Sequence, residues 1–182
     1  IEMLYSLDIK FEGQSRGRND DLWDTMPAGR FFYNVDFKKA YWQIAYKLGY
    51  VDHSLYVDYI DNDLFKPALR YCFSFLARQN YMVYHTPRTK VKITCDTSVL
   101  NKVYENVRKQ LYNEVATAKE GCTGIVEWNI DGVSVLAKDL DIVCKKIAAS
   151  GLQYKITECR KIDEYTYSSG TKVKNFKQKQ KI

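Results

Sequence analysis

The chain has 182 residues, 46% hydrophobic content and a net charge of +6, enough apolar material to bury one sizeable core and form a single compact unit. No apolar run approaches the roughly 18 residues of a membrane span, and the opening IEMLYSLDIK lacks the basic-then-apolar layout of a secretory signal. The expectation is a soluble protein of intracellular origin with no membrane partner, and the start at Ile rather than Met points to a processed product or a fragment.

Cys72, Cys95, Cys122, Cys144 and Cys159 are odd in number, widely spaced and without a CxxC pair. They argue against disulfides and a structural zinc site and for buried or half-buried thiols in a reducing compartment. The last twelve residues, TKVKNFKQKQKI, hold five lysines and no acid, so the rest of the chain is close to neutral. A Lys/Gln stretch of this kind reads as a solvated, disordered tail. Resting on phosphates, it would add salt-sensitive affinity for nucleic acid.

Residues 1–29, with GQSRGRNDD and MPAG, read as a loosely ordered lead-in. FFYNV suits a buried strand with Asp36 at its end, and KKAYWQIAYKLGY carries Ala40, Ile44 and Leu48 at helical spacing before the capping glycine Gly49. Asp52 is placed to cap a helix through Ile60, and Pro67 fits the first turn of another at about 63–79. YMVYH and KVKITC read as a hairpin across TPRT. A long helix follows, with Val99, Val103, Val107, Leu111 and Val115 at four-residue steps.

Gly121 to Gly124 breaks that helix, and GIVEWNI and VSVLA then flank Asp131-Gly132, a strong hairpin signal. Asp139 is placed to cap a helix ended by Gly151, before a last strand near LQYKIT. The order predicts an α+β domain over 30–160, an antiparallel sheet with helices packed on one face. Residues 161–182 are left as the basic tail.

In that layout Asp36 and Asp131 can lie side by side on the sheet. Magnesium takes one or two carboxylates together with waters and substrate phosphates, and two such ions about 3.5–4 Å apart stabilise both oxygens of an in-line displacement. The residues also have plainer readings: Asp131-Gly132 is what a type I′ turn uses, Asp36 can cap the following helix, and Tyr41 and Trp42 suit a core. On a helix face Arg70 is more often simply solvated.

The order of these segments resembles the palm of family B DNA polymerases. That family's first motif is an aspartate followed after three residues by leucine and tyrosine, and its last is a hairpin with two aspartates around a threonine. Here the first reads Asp36-Phe37-Lys38-Lys39-Ala40-Tyr41-Trp42 and the last Trp128-Asn129-Ile130-Asp131-Gly132, with Asn129 where the family has its first aspartate. The resemblance implies a polymerase-palm-like fold and Mg2+ held by Asp36 and Asp131 as the catalytic pair. It also implies Tyr41 packed under the incoming sugar, and a triphosphate held by the helix KPALRYCFSFLARQ through Arg70, Ser74 and Lys66.

The chain is also similar to small uncharacterised proteins of tailed bacteriophages of gut bacteria, which share the strand ending in Asp, the AYW helix and the late Trp-x-x-Asp-Gly hairpin. Two functions follow from these resemblances. The first is a two-metal nucleotidyltransferase acting on nucleic acid and nucleotide. The alternative is an inactive palm descendant serving as a phage structural, virion-packaged or nucleic-acid-associated protein beside other phage proteins. The implied setting is the bacterial host cytoplasm or the virion.

Overall fold

The computed structural model describes residues 9–11, 13–77, 81–85, 88, 90–94 and 97–177, with backbone alone for 81–85 and 90–94. In chain order its elements are β1 (Gly17–Arg18), α1 (Asp20–Thr25), β2 (Phe31–Phe37), α2 (Ala40–Lys47), α3 (His53–Ile60), a 3-10 turn (Asp63–Phe65), α4 (Lys66–Leu76), β3 (Tyr81–His85) and β4 (Lys90–Thr94). They continue with α5 (Ser98–Lys119), β5 (Ile125–Trp128), β6 (Gly132–Val135), α6 (Ala137–Ala149), β7 (Tyr154–Lys161), β8 (Thr166–Ser169) and β9 (Lys172–Asn175). The fold is α+β.

The described residues divide into two compact units. One falls within Ile1–Glu12 and Tyr41–Gln110, the other within Gly13–Ala40 and Leu111–Ile182. In the Tyr41–Gln110 unit, Gly49 at φ +81° stops α2, a conformation that costs glycine nothing. The Asp52 carboxylate accepts from Leu55 N at 2.9 Å to start α3, and Pro67 occupies the first turn of α4. Aromatic rings join these helices: Tyr46 stacks on Tyr56 at 4.1 Å, and Tyr59 meets both Trp42 and Phe65 edge-on. The β3–β4 hairpin is a separate two-stranded sheet. Val107 of α5 is buried as its four-residue stripe predicts, whereas Val99 at the helix start is exposed.

The other unit holds a seven-stranded antiparallel sheet in the order β1-β5-β6-β2-β7-β8-β9. Val35, Val133 and Val135 point to one face, where α6 covers β2, β6 and β7 with Val143 and Ile147. Side chains alternate along a strand, so Phe32, Asn34 and Asp36 point to the other face. That face is concave. Tyr167 on β8 donates from its hydroxyl to Glu127 Oε1 on β5 at 2.7 Å, although three strands lie between them. Arg18 on edge strand β1 donates to the carbonyl of Phe176, just beyond the opposite edge, at 2.8 Å.

One end of the concave face is filled by an apolar cluster of Trp23, Met26, Phe32, Val126, Leu136, Cys159, Tyr167 and Phe176. Helices are therefore not confined to one face, because α1 lies against Phe32 opposite α6. The cluster also orders the described parts of both expected loose ends, of which residues 1–8, 12 and 178–182 lie outside the described residues. In the supposed lead-in, Trp23 is fully buried and its indole N–H donates to Glu164 O at 2.8 Å. In the supposed tail, β8 and β9 extend the sheet and Phe176 stacks on Trp23 at 3.9 Å. Lys161 is buried too, donating to the carbonyls of Trp23 and Met26 at 2.6 Å each.

Two further expectations change. Asp139 does not cap α6, which begins without a side-chain cap; it lies within the first turn, buried, where Oδ2 accepts from Gly124 N at 2.6 Å and ties the preceding loop to the helix. Cys144 and Cys159 are buried thiols, but Cys72 is exposed, and Cys95 lies outside the described residues. Among the described residues no helix is long and apolar enough to cross a membrane.

Candidate functional site

Strands β2 and β6 are neighbours at the centre of the sheet, with Asp36 paired to Gly132 and Asn34 to Ser134. Asp131 immediately precedes β6, and its carbonyl accepts from Phe37 N at 2.8 Å, which holds the hairpin end against the end of β2. The sheet thus brings together the two acids that the sequence separates. Both are half-buried.

Burial and then the Asp131 carboxylate raise the Asp36 pKa; Lys174, a hydrogen bond from Asn34 and Lys155 act in the opposite direction. Asn34 Nδ2 donates to Asp36 Oδ2 at 2.7 Å, and Ser134 Oγ donates to Asn34 Oδ1 at 3.1 Å. This chain fixes the Asp36 carboxylate from one side and leaves Oδ1 turned toward Gly132.

Gly132 closes the other side. A β-carbon built on it would overlap Asp36 Oδ1 and stand 2.9 Å from Val35 O. Its φ is not in the left-handed region, nor is that of Asp131. A type I′ turn needs positive φ at both central residues, so the Asp-Gly pair is not a type I′ turn: the glycine admits the neighbouring carboxylate. Asn129 supplies the turn instead, its Oδ1 accepting from Asp131 N at 3.1 Å. Asp36, inside β2 and bonded to Asn34, does not cap the next helix.

The remaining predicted residues belong to the Tyr41–Gln110 unit. Tyr41 accepts from Arg108 Nη1 at 2.8 Å and stacks near Tyr104 and Phe73, and burial raises its pKa. Lys66, Arg70 and Ser74 follow at four-residue steps on one exposed face of α4, where Ser74 Oγ donates back to Tyr71 O at 2.8 Å.

Sequence reasoning missed Asn34, Ser134, Glu127 and Tyr167. Asn34 and Asp36 carried one usable signal, two polar residues in alternate positions of an otherwise aromatic and apolar strand. Among the described residues no group of three or more His, Cys, Asp or Glu side chains gathers as a metal cluster. A shallow pocket lined by Arg18, Asp20, Ile125 and Trp128 holds neither acid. Comparison with family models, curated proteins and solved structures finds no match to this chain.

Proposed function

We propose that the chain is a polymerase-palm-like nucleotidyltransferase acting on nucleic acid, with Asp36 and Asp131 as ligands for Mg2+. The observation that carries this reading is the convergence of Asp36 and Asp131 at one end of the central strands, where the Asp131 charge helps raise the pKa of Asp36. Two hard-oxygen donors, completed by waters and substrate phosphates, are what magnesium accepts. When bound, the metal would offset charge on the phosphoryl oxygens during in-line displacement. Asn34 and Ser134 orient Asp36, and Gly132 keeps the space beside it clear.

Chain order supports the palm-like reading as well, since the Tyr41–Gln110 unit is inserted between the two acid-bearing segments of the other.

One observation favours a second reading. Asn129 occupies the position of the family's first acid and uses its side-chain oxygen in the turn, as suits a palm descendant that binds nucleic acid or other phage proteins without catalysis.

The deciding experiment is magnesium-dependent nucleotide incorporation on primed templates by wild type, Asp36→Ala, Asp131→Ala and the double variant, alongside Mn2+ binding followed by electron paramagnetic resonance. Loss of both incorporation and metal binding in each variant is the expected result. An active double variant would overturn the catalytic reading. Wild type that binds no metal and incorporates nothing leaves the second.

A further inference from the structure

The concave face carries a set of cations beside the acids. Lys155 on β7 pairs directly with Asp36 on β2. On the outer strands Lys172 pairs with Ser169, itself paired with Cys159, and Lys174 pairs with Tyr167. Directly paired residues of neighbouring strands share a face, so all three lysines project to the side of Asp36, Asn34 and Tyr167. All three are exposed. Among the described residues none of them forms an ion pair.

The curl of the sheet brings one of them toward Asp36. Lys174 stands on the edge strand, paired with Tyr167 and so on the concave side, and its charge acts on both Asp36 and Cys159. Alternate residues of a strand are roughly 6.6 Å apart, so Lys172 and Lys174 present two charges in a line along β9, with Lys155 a third beside Asp36. The half-buried hydroxyls of Thr157 and Ser169 lie on the same face.

We propose that Lys155, Lys172 and Lys174 bind phosphates of a nucleic-acid strand that runs from the exposed β9 edge of the sheet toward Asp36 and Asp131. The choice of nucleic acid as the polyanion rests on the functional reading above; the placement of the cations does not. Lysine contacts phosphate as a flexible point charge, so this track is independent of base sequence and sensitive to salt. Edge lysines also protect a sheet from pairing with another chain, and that role predicts a different result.

The test is fluorescence anisotropy of a labelled single-stranded oligonucleotide over a salt series with EDTA present, which removes any metal-held contact. Wild type is compared with K155Q/K172Q/K174Q, with the arginine triple variant, and with K102Q/K138Q/K145Q, which loses equal charge elsewhere; a urea midpoint monitors folding of each. The slope of log affinity against log salt should fall by about two in the glutamine variant, at about 0.7 per single-strand phosphate contact. The arginine variant and the remote control should keep the wild-type slope.

The proposal fails if the glutamine variant matches the remote control. It fails equally if wild type binds no oligonucleotide, or if the glutamine variant self-associates while binding is unchanged, the result expected of edge protection. Should the glutamine variant not fold, a wild-type slope below about two would itself overturn the proposal. Lysine-dependent binding without incorporation would uphold the track and remove the catalytic reading, so the two failures are distinguishable.

Discussion

Gly132 stands directly across from Asp36 in the register of β2 and β6, and a β-carbon on Gly132 would overlap the Asp36 carboxylate. The absent side chain is therefore part of the acid's environment. It lets a half-buried carboxylate sit with one oxygen held by Asn34 and the other against the Gly132 backbone.

Gly132→Ala tests this directly. Alanine suits the backbone here, because φ is outside the left-handed region, and on conformational grounds alone the change would stabilise the protein by about 0.4–1 kcal/mol. The collision with Asp36 Oδ1 and Val35 O reverses that sign, and a net loss of about 1–3 kcal/mol is expected for forced overpacking. Urea denaturation measures it; a variant as stable as wild type would refute the packing role.

Asp36→Asn should stabilise the fold at neutral pH. The folded-state pKa of Asp36 is raised above its ordinary 3.8, mainly by burial and then by Asp131. Its contribution is therefore fully present below the ordinary value and lost as pH rises through the raised one. Asparagine keeps an acceptor for Asn34 and has no charge to desolvate. The difference in unfolding free energy between variant and wild type should be near zero at pH 3 and favour the variant at pH 7. A variant less stable at pH 7 would mean that attraction from Lys174 and Lys155 outweighs burial and repulsion.

Phe176→Ala should destabilise the protein by about 3–5 kcal/mol, the range for removing a buried aromatic side chain. Phe176 is 4% exposed and stacks on Trp23. Thermal unfolding and the near-ultraviolet dichroism of tryptophan should both change. An unaltered melting temperature would return this segment to the status of a loose tail.

Local signals made much of the fold legible. The Asp52 cap, Pro67 in the first turn of α4, Gly49 after α2 and the four-residue apolar steps through Val107 and Leu111 all act within a few residues of chain. The two ends misled for one physical reason. Trp23 and Phe176 are ordered by each other and by Phe32 and Tyr167, partners far away in sequence. In TKVKN the number of lysines obscured their alternation, which is the signature of a strand with one charged face. Asp139 failed as a cap because its partner is Gly124 on the preceding loop, while its own helix starts without a side-chain cap.

The sequence by itself determined the helices from α2 to α6, the β3–β4 and β5–β6 hairpins and the candidacy of Asp36 and Asp131, because caps, periodicity and turn residues are local chemistry. Only the tertiary structure decided what those acids have around them. Strand register set Gly132, Lys155 and the Asn34–Ser134 pair beside Asp36, and the curl of the sheet carried Lys174 toward it. Register and curvature come from burying Phe32, Trp23 and Phe176 in a single cluster, a long-range requirement that no short window of sequence contains.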